Sequence, residues 1–138
     1  MRRRVAAVFV MVPQNEPNRI VGYYTLSSAS VLLDDLPVSL TKKLPRYPMI
    51  PAILLGRLAR DARCPGIGGR LLCDALCRAH RHARDIAAAV ILVDAKNDRA
   101  SEFYTRHGFV ALANTARKMF LPMTVVDILV STTSDANG

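Results

Sequence analysis

The sequence predicts one α/β (α+β) domain, a mixed central β-sheet flanked by helices. Apolar, β-rich runs alternate with segments of helical period, and a glycine-rich turn joins a strand directly to a helix. The 138 residues suffice to bury a core, and a composition of 51% hydrophobic and 22% charged residues excludes a disordered chain. These observations predict a sheet built around one strand–helix–strand unit.

The first half of the chain is predicted to consist mainly of strands. An apolar run at residues 5–12 and a run rich in Ile, Val, Tyr, Thr and Ser at residues 19–33 form a hairpin. The segments that follow are a short third strand at residues 38–43, a loop with three prolines at residues 44–51 and a core strand at residues 53–61.

In the second half of the chain, apolar residues recur with the period of a helix from Gly69 onward. One face of this predicted helix carries Leu71, Leu72, Ala75, Leu76 and Ala79. The later segments are a second core strand at residues 87–95, a helix that Asn97 or Asp98 caps and Gly108 ends, short strands at 109–112 and 118–121, a C-terminal strand beyond residue 123 and a disordered tail at 131–138.

Charge and cysteine content narrow the class of protein. A net charge of +8 with a pI near 10 favours a polyanionic partner, either a nucleic acid or a phosphorylated cofactor, although solubilising charge alone gives the same balance. Three cysteines without a clear export signal indicate reduced thiols and a cytoplasmic location. No run approaches the roughly 20 apolar residues of a membrane span.

A metal site is not expected. Cys73, Cys77 and His80 share one helix stripe, but three ligands from a single helix do not surround a zinc ion, and no matching cysteine pair lies elsewhere. Buried thiols explain the pattern better.

The most informative motif is the turn at residues 63–68, Arg-Cys-Pro-Gly-Ile-Gly, which opens the first long helix. Unpaired amides at a helix N-terminus and the helix dipole favour a bound anion, and glycines let phosphates approach the backbone. No Gly-Lys-Ser/Thr follows, and the dinucleotide fingerprint is incomplete. The turn therefore predicts a phosphate site at the carboxyl end of the core strands.

A second motif makes the functional interpretation of the turn more specific. The order and spacing of two motifs resemble the GCN5-related N-acetyltransferase (GNAT) family: Arg63-x-x-Gly66-x-Gly68 and Asn97-x-x-Ala100-x-x-x-Tyr104-x-x-x-Gly108. The resemblance is closest to GNAT toxins of type II toxin–antitoxin modules and covers residues 21–123. The segments that carry it are residues 48–61, 73–76, 93–96, 103–104 and 120–123.

The resemblance implies acetyl-CoA as the acetyl donor and a set of cofactor-binding residues. The backbone of Leu58, Ala59 and Arg60 would pair with the pantetheine arm, as an added strand does. Asn97 would bind the pantetheine or adenylate end. The turn and the start of the helix would hold the pyrophosphate through Arg63, Cys64, Pro65, Gly66, Ile67, Gly68, Gly69 and Arg70.

Tyr104 is the candidate catalytic residue, as general acid for the departing thiolate. A phenol of pKa near 10 facing a thiol of pKa near 8.5 is uphill by about 2 kcal/mol in water, which a positioned hydrogen bond can offset. The acceptor implied is the α-amine of aminoacyl-tRNA. An α-amine of pKa near 7.7 is already about one-sixth neutral at pH 7, so it needs little help from a dedicated base.

The same resemblance implies a ribbon-helix-helix antitoxin and a homodimer as partners. It places one N-acetyltransferase domain in residues 1–123, lacking the usual N-terminal strand and two helices. The alternatives are acetylation of a small amine or protein N-terminus, and an inactive truncated module that binds antitoxin or RNA. The candidate contacts of a tRNA backbone are Lys42, Lys43, Arg46, Arg78, Arg81 and Arg84. The alternative is that these residues form only a solvated face.

Overall fold

The computed structural model describes residues 6–115 and 117–137 of the chain. Within them, six strands form one sheet in the order β1-β2-β3-β4-β6-β5, in which only β3 and β4 run parallel. The elements are β1 Ala7–Met11, β2 Gly22–Leu32, α1 Val38–Thr41, β3 Met49–Arg60, α2 Ile67–Ile86, β4 Val90–Asp94, α3 Asp98–Arg106, β5 Val110–Ala111, β6 Lys118–Pro122 and α4 Met123–Asn137. The predicted mixed α/β architecture is confirmed.

Alternation along the strands gives the sheet two apolar faces. On one face, Tyr24, Leu55 and Val93 pack against the buried stripe of α2, which includes Leu72 and Ala79. The neighbouring positions point to the other face, where a second core of residues forms beneath the segment between β2 and β3: Val31, Leu36, Ile50, Ala52, Val90, Leu112 and Phe120. The parallel β3–α2–β4 unit is therefore buried on both sides.

Residues 38–43 were predicted as a strand, and this prediction is wrong: Val38–Thr41 is the short helix α1. Pro37 precedes it with a φ of −61°, and its carbonyl accepts hydrogen bonds from the N–H groups of Leu40 and Thr41, each at 3.0 Å. Because the fixed φ of proline suits the start of a helix, it outweighs the β-propensity of Val38 and Thr41.

The C-terminal strand predicted beyond residue 123 is also wrong, because this segment forms the helix α4. Met123, Val126 and Val130 recur at helical spacing and pack on the main core, with Val126 fully buried. The run is rich in β-branched residues, but packing of one helical face overrides that propensity. The tail predicted as disordered is helical from residue 131 through Asn137, and residue 138 lies outside the described part of the chain.

The other elements lie where they were predicted, with shifted ends. The helix predicted from Gly69 begins at Ile67, and the helix capped by Asn97 ends before Gly108, which has a φ of +96°. Among the described residues, no helix is long and apolar enough to cross a membrane.

Candidate functional site

The parallel strands β3 and β4 separate at their carboxyl ends. Their paired residues run from Ala52–Val90 to Leu55–Val93, whereas β3 continues to Arg60. The pairing of β3 with β2 shifts register at the same place, leaving Gly56 as the extra residue of a β-bulge. The bulge turns β3 away from β4, and a cleft opens between the two strands.

The cleft consists of two adjoining cavities of about 460 and 480 Å³. Both are lined by the same five residues: Leu58, Ala59, Lys96, Ala100 and Tyr104. The first, the α2-side cavity, reaches Gly68 at the start of α2. The second, the β2-side cavity, reaches Tyr23 and Arg57. Because Tyr24 faces α2, Tyr23 faces the opposite side of the sheet, so the cleft is accessible from both faces.

The α2-side cavity meets an uncapped helix N-terminus. Gly66 is the N-cap residue of α2 with a φ of +88°, a left-handed conformation that favours glycine. Among the described residues no side chain caps the helix, and its first turn contains no acidic residue. The first amides of this helix therefore remain available for an anion in the cleft, as the sequence predicts.

Arg63 lies on the turn but points away from the cleft. Its guanidinium and its backbone N–H donate to the Asp61 carboxylate, with Nη2–Oδ2 and N–Oδ1 distances of 2.9 Å. These hydrogen bonds lower the pKa of Asp61 to about 2. The Arg63 side chain is 77% exposed and lines neither cavity. Arg63 therefore braces the turn, and the cofactor contact predicted for it would have to come from its backbone.

Tyr104 lies between the two cavities. It projects from α3, is only 7% exposed, and packs edge-on against Phe103 and Phe109 with ring centroids 5.3 Å apart in each pair. Burial raises the pKa of Tyr104 to about 12. The phenol therefore carries its proton at any physiological pH and is available as a hydrogen-bond donor in the cleft.

Asn97 has a structural role in addition to its place in the α2-side cavity. Its Oδ1 accepts a hydrogen bond from the N–H of Ala100 at 2.8 Å, which caps α3. The cap fixes the helix that carries Tyr104. Since the oxygen is already engaged, the side-chain NH₂ is the group left for a ligand.

Replacing Asn97 separates these two roles. We expect Asn97→Ala to lose the cap and about 1 kcal/mol of unfolding free energy, measured by urea denaturation. Asn97→Asp keeps a capping oxygen, so its stability should stay near that of the unmodified chain. If the NH₂ binds acetyl-CoA, Asn97→Asp still weakens the affinity, whereas an unchanged affinity limits Asn97 to capping.

The basic residues predicted to lie along a tRNA backbone are not part of the cleft. Arg78 is half-buried and its guanidinium is engaged: its Nε donates to the Tyr24 hydroxyl at 2.9 Å, and the guanidinium carbon lies 4.1 Å from the centroid of the Phe9 ring. The Tyr24 hydroxyl in turn donates to Asp74. The other five, Lys42, Lys43, Arg46, Arg81 and Arg84, lie around α1 and along α2, and none lines the cleft.

The cleft also contains basic side chains that were not predicted from the sequence. Arg57 and Lys96 line the β2-side cavity, and Arg99 and Arg106 of α3 line the α2-side cavity together with the predicted Arg60. The position of Lys96 in the sequence, between the core strand and the Asn97 cap, was the feature that could have predicted its place in the cleft. The described residues contain no group of three or more His, Cys, Asp or Glu side chains that could hold a metal ion.

The sequence is similar to those of known toxins. No protein-family model matches the chain. A protein of Sinorhizobium fredii named "Probable toxin TacT" is 32% identical over 128 residues, a match that covers 86% of this chain and 70% of the relative. The tRNA-acetylating toxin of Mycobacterium tuberculosis is 40% identical over 93 residues, and the match covers 66% of this chain but only 55% of that toxin.

Solved structures agree with the sequence relatives. AtaT complexed with acetyl-methionyl-tRNAfMet is 28% identical with a TM-score of 0.82, covering 91% of this chain and 75% of that one. AtaTR bound with acetyl-CoA is 27% identical with a TM-score of 0.75, covering 91% and 74%.

Proposed function

The chain belongs to the GNAT toxins of type II toxin–antitoxin modules, and from that premise we propose that it acetylates the α-amine of aminoacyl-tRNA and so inhibits translation. The observation that carries the proposal is the position of Tyr104, between a cavity that ends at uncapped helix amides and a cavity that opens on the other face of the sheet.

The α2-side cavity fits the acetyl donor. The amides from Ile67 onward would hold the pyrophosphate, and Arg60, Arg99 and Arg106 would surround it with positive charge. The backbone of Leu58 and its neighbours, which pairs with β2 on one side and has left β4 on the other, would hold the pantetheine arm as an added strand. Acetyl-CoA, when bound, supplies the acetyl thioester.

The β2-side cavity fits a nucleic-acid-borne acceptor. Arg57 and Lys96 bring two cations to its wall against one carboxylate, that of Asp94. Tyr23 adds an aromatic ring. Cations bind phosphate and aromatic rings stack on bases, so this lining favours the 3′ end of a charged tRNA over a small free amine.

Tyr104 would stabilise the charge that develops during transfer. The acceptor nitrogen attacks the acetyl carbonyl carbon, the carbon–sulfur bond breaks, and the sulfur takes up a proton while the nitrogen loses one. As the carbon–sulfur bond breaks, the phenol would donate a hydrogen bond to the departing sulfur. The nitrogen would release its proton to solvent, and any proton that the phenol passes to the sulfur would be replaced from solvent.

Membership of the family also supports proposals about the location, the regulation and the oligomeric state of the protein. We propose a cytoplasmic location, neutralisation by a ribbon-helix-helix antitoxin, and a homodimer. The N-acetyltransferase domain would comprise residues 1–123, with α4 completing its core through Val126.

A cell-free translation reaction tests the proposed function. The purified chain should inhibit synthesis of a reporter only when acetyl-CoA is present, and depletion of acetyl-CoA should restore it. If saturating acetyl-CoA binds the chain and synthesis continues at the full rate, the toxin function is excluded while the cofactor site stands.

A further inference from the structure

A cavity of about 760 Å³, larger than either half of the cleft, lies at the other end of the molecule. It is bounded by α1 and the turn after it, the C-terminal end of α2 and the first turn of α4, and we call it the α1–α4 groove. Gly68 in the cleft and Arg84 in the groove are sixteen residues apart on α2, which corresponds to ~24 Å of helix. The groove is therefore separate from the catalytic cleft.

The floor of the groove is apolar. Its side chains come from three elements that are distant in sequence: Leu40 and Leu44 from the α1 segment, Ala83 and Ala88 around the end of α2, and Met123 from α4. The two alanines are buried and the larger side chains are half-buried. A volume in the range of 300–1,000 Å³ is typical of pockets that hold organic side chains or ligands.

The rim of the groove is positively charged. Lys43 and Arg84 stand at its edge, and no ion pair is recorded for either within the described residues. Asp127, the acidic residue in the lining, is hydrogen-bonded to His80 across the α2–α4 contact. The two basic side chains are therefore available for carboxylates brought by a partner.

We propose that the α1–α4 groove docks an amphipathic helix of a protein partner, with apolar side chains on the floor and Glu or Asp side chains against Lys43 and Arg84. Helix-in-groove recognition uses apolar anchors at i, i+3, i+4 and i+7, which suits a floor of apolar side chains drawn from three elements. An acidic flank matches both the local rim and the net charge of +8. The groove thus recruits a protein and leaves the cleft to the reaction.

The lining favours a protein over a nucleic acid. The described residues that line the groove include no Phe, Tyr or Trp on which an unpaired base could stack. An apolar floor gives nothing to a phosphate backbone, whereas it stabilises leucine-like side chains by about 25 cal/mol for each Å² removed from water. The two cations alone would serve either partner, so the floor decides between them.

A labelled synthetic peptide of about 18 residues tests the proposal, long enough for helical pairs at i, i+4 to form. It carries Leu at i, i+3, i+4 and i+7 with Glu on both flanks, and its counterpart carries Lys in place of Glu. Fluorescence anisotropy should show saturable binding of the acidic peptide to the full chain and none of the basic one. Lys43→Glu and Arg84→Glu should each weaken binding about tenfold, and the double variant should bind the basic peptide instead.

Arg81→Glu is the matched control, since it makes the same charge change on the exposed part of α2 outside the groove. It should leave peptide binding unchanged, and all variants should keep their acetyl-CoA affinity as evidence of folding. Failure of the acidic peptide to saturate, or an equal loss in Arg81→Glu, overturns the proposal. So does the case in which the groove variants bind the peptide normally and lose tRNA affinity.

Discussion

Tyr104→Phe should lower kcat for acetyl transfer by about a hundredfold or more while leaving the affinity for acetyl-CoA unchanged. The phenol donates to the sulfur only as the carbon–sulfur bond breaks, so its loss affects the transition state and not ground-state binding. With its pKa raised to about 12 by burial, full proton transfer to a thiolate of pKa near 8.5 would be uphill by roughly 5 kcal/mol. Stabilisation of charge by the hydrogen bond is therefore the larger part of the role. Steady-state and single-turnover rates with charged tRNA measure the loss.

The pH profile distinguishes this role from a structural one. The rate should rise with pH up to about 8 as the acceptor α-amine, of pKa near 7.7, loses its proton. Because Tyr104 titrates at about 12, no fall should occur below about pH 10. Tyr104→Phe should lower the plateau without moving the acidic limb.

Tyr24→Phe is the matched control for Tyr104→Phe. The Tyr24 hydroxyl bonds to Asp74 and Arg78, whose side chains are partly exposed, and it does not line the cleft. Its removal should cost about 1–2 kcal/mol of unfolding free energy and leave kcat unchanged. Equal losses of kcat in the two variants would remove Tyr104 from the mechanism.

Gly66→Ala should weaken acetyl-CoA binding about tenfold, the second large effect. At a φ of +88° a Cβ is strained by roughly 1–2 kcal/mol even though nothing lies within 4 Å of it. The turn relieves that strain by moving, which displaces the amides at the start of α2. Isothermal titration calorimetry with acetyl-CoA measures the change in Kd.

Gly68→Ala provides the comparison for that effect. The new Cβ would lie 3.4 Å from Cε1 of Phe103, an ordinary contact, and the backbone there needs no left-handed conformation. Its Kd should change by less than about threefold. A larger loss in Gly68→Ala than in Gly66→Ala would mean that space, and not the turn conformation, governs cofactor binding.

The parts of the site that lie within one turn or one helix could be predicted from the sequence. The uncapped start of α2 follows from the glycines of the turn, and the position of Tyr104 follows from its spacing after Asn97. The guanidinium of Arg63 is held by Asp61, two residues away. That pairing depends on a side-chain geometry that the motif pattern does not contain.

The cleft itself could not be predicted, because it depends on contacts between distant segments. It opens where β3 leaves β4, at a bulge set by the register of β2 against Gly56. Arg57 and Lys96 meet only after that separation. The helix α4 was missed for a related reason, since its residues favour a strand until the core beneath Val126 selects a helix.

Transfer of labelled acetyl from acetyl-CoA to charged tRNA tests the central claim most directly. After the aminoacyl ester is hydrolysed, the account predicts that the label is recovered as an N-acetyl amino acid, and that uncharged tRNA stays unlabelled. Recovery of all the label in acetyl-CoA, from a chain that binds acetyl-CoA in the cleft, would contradict it.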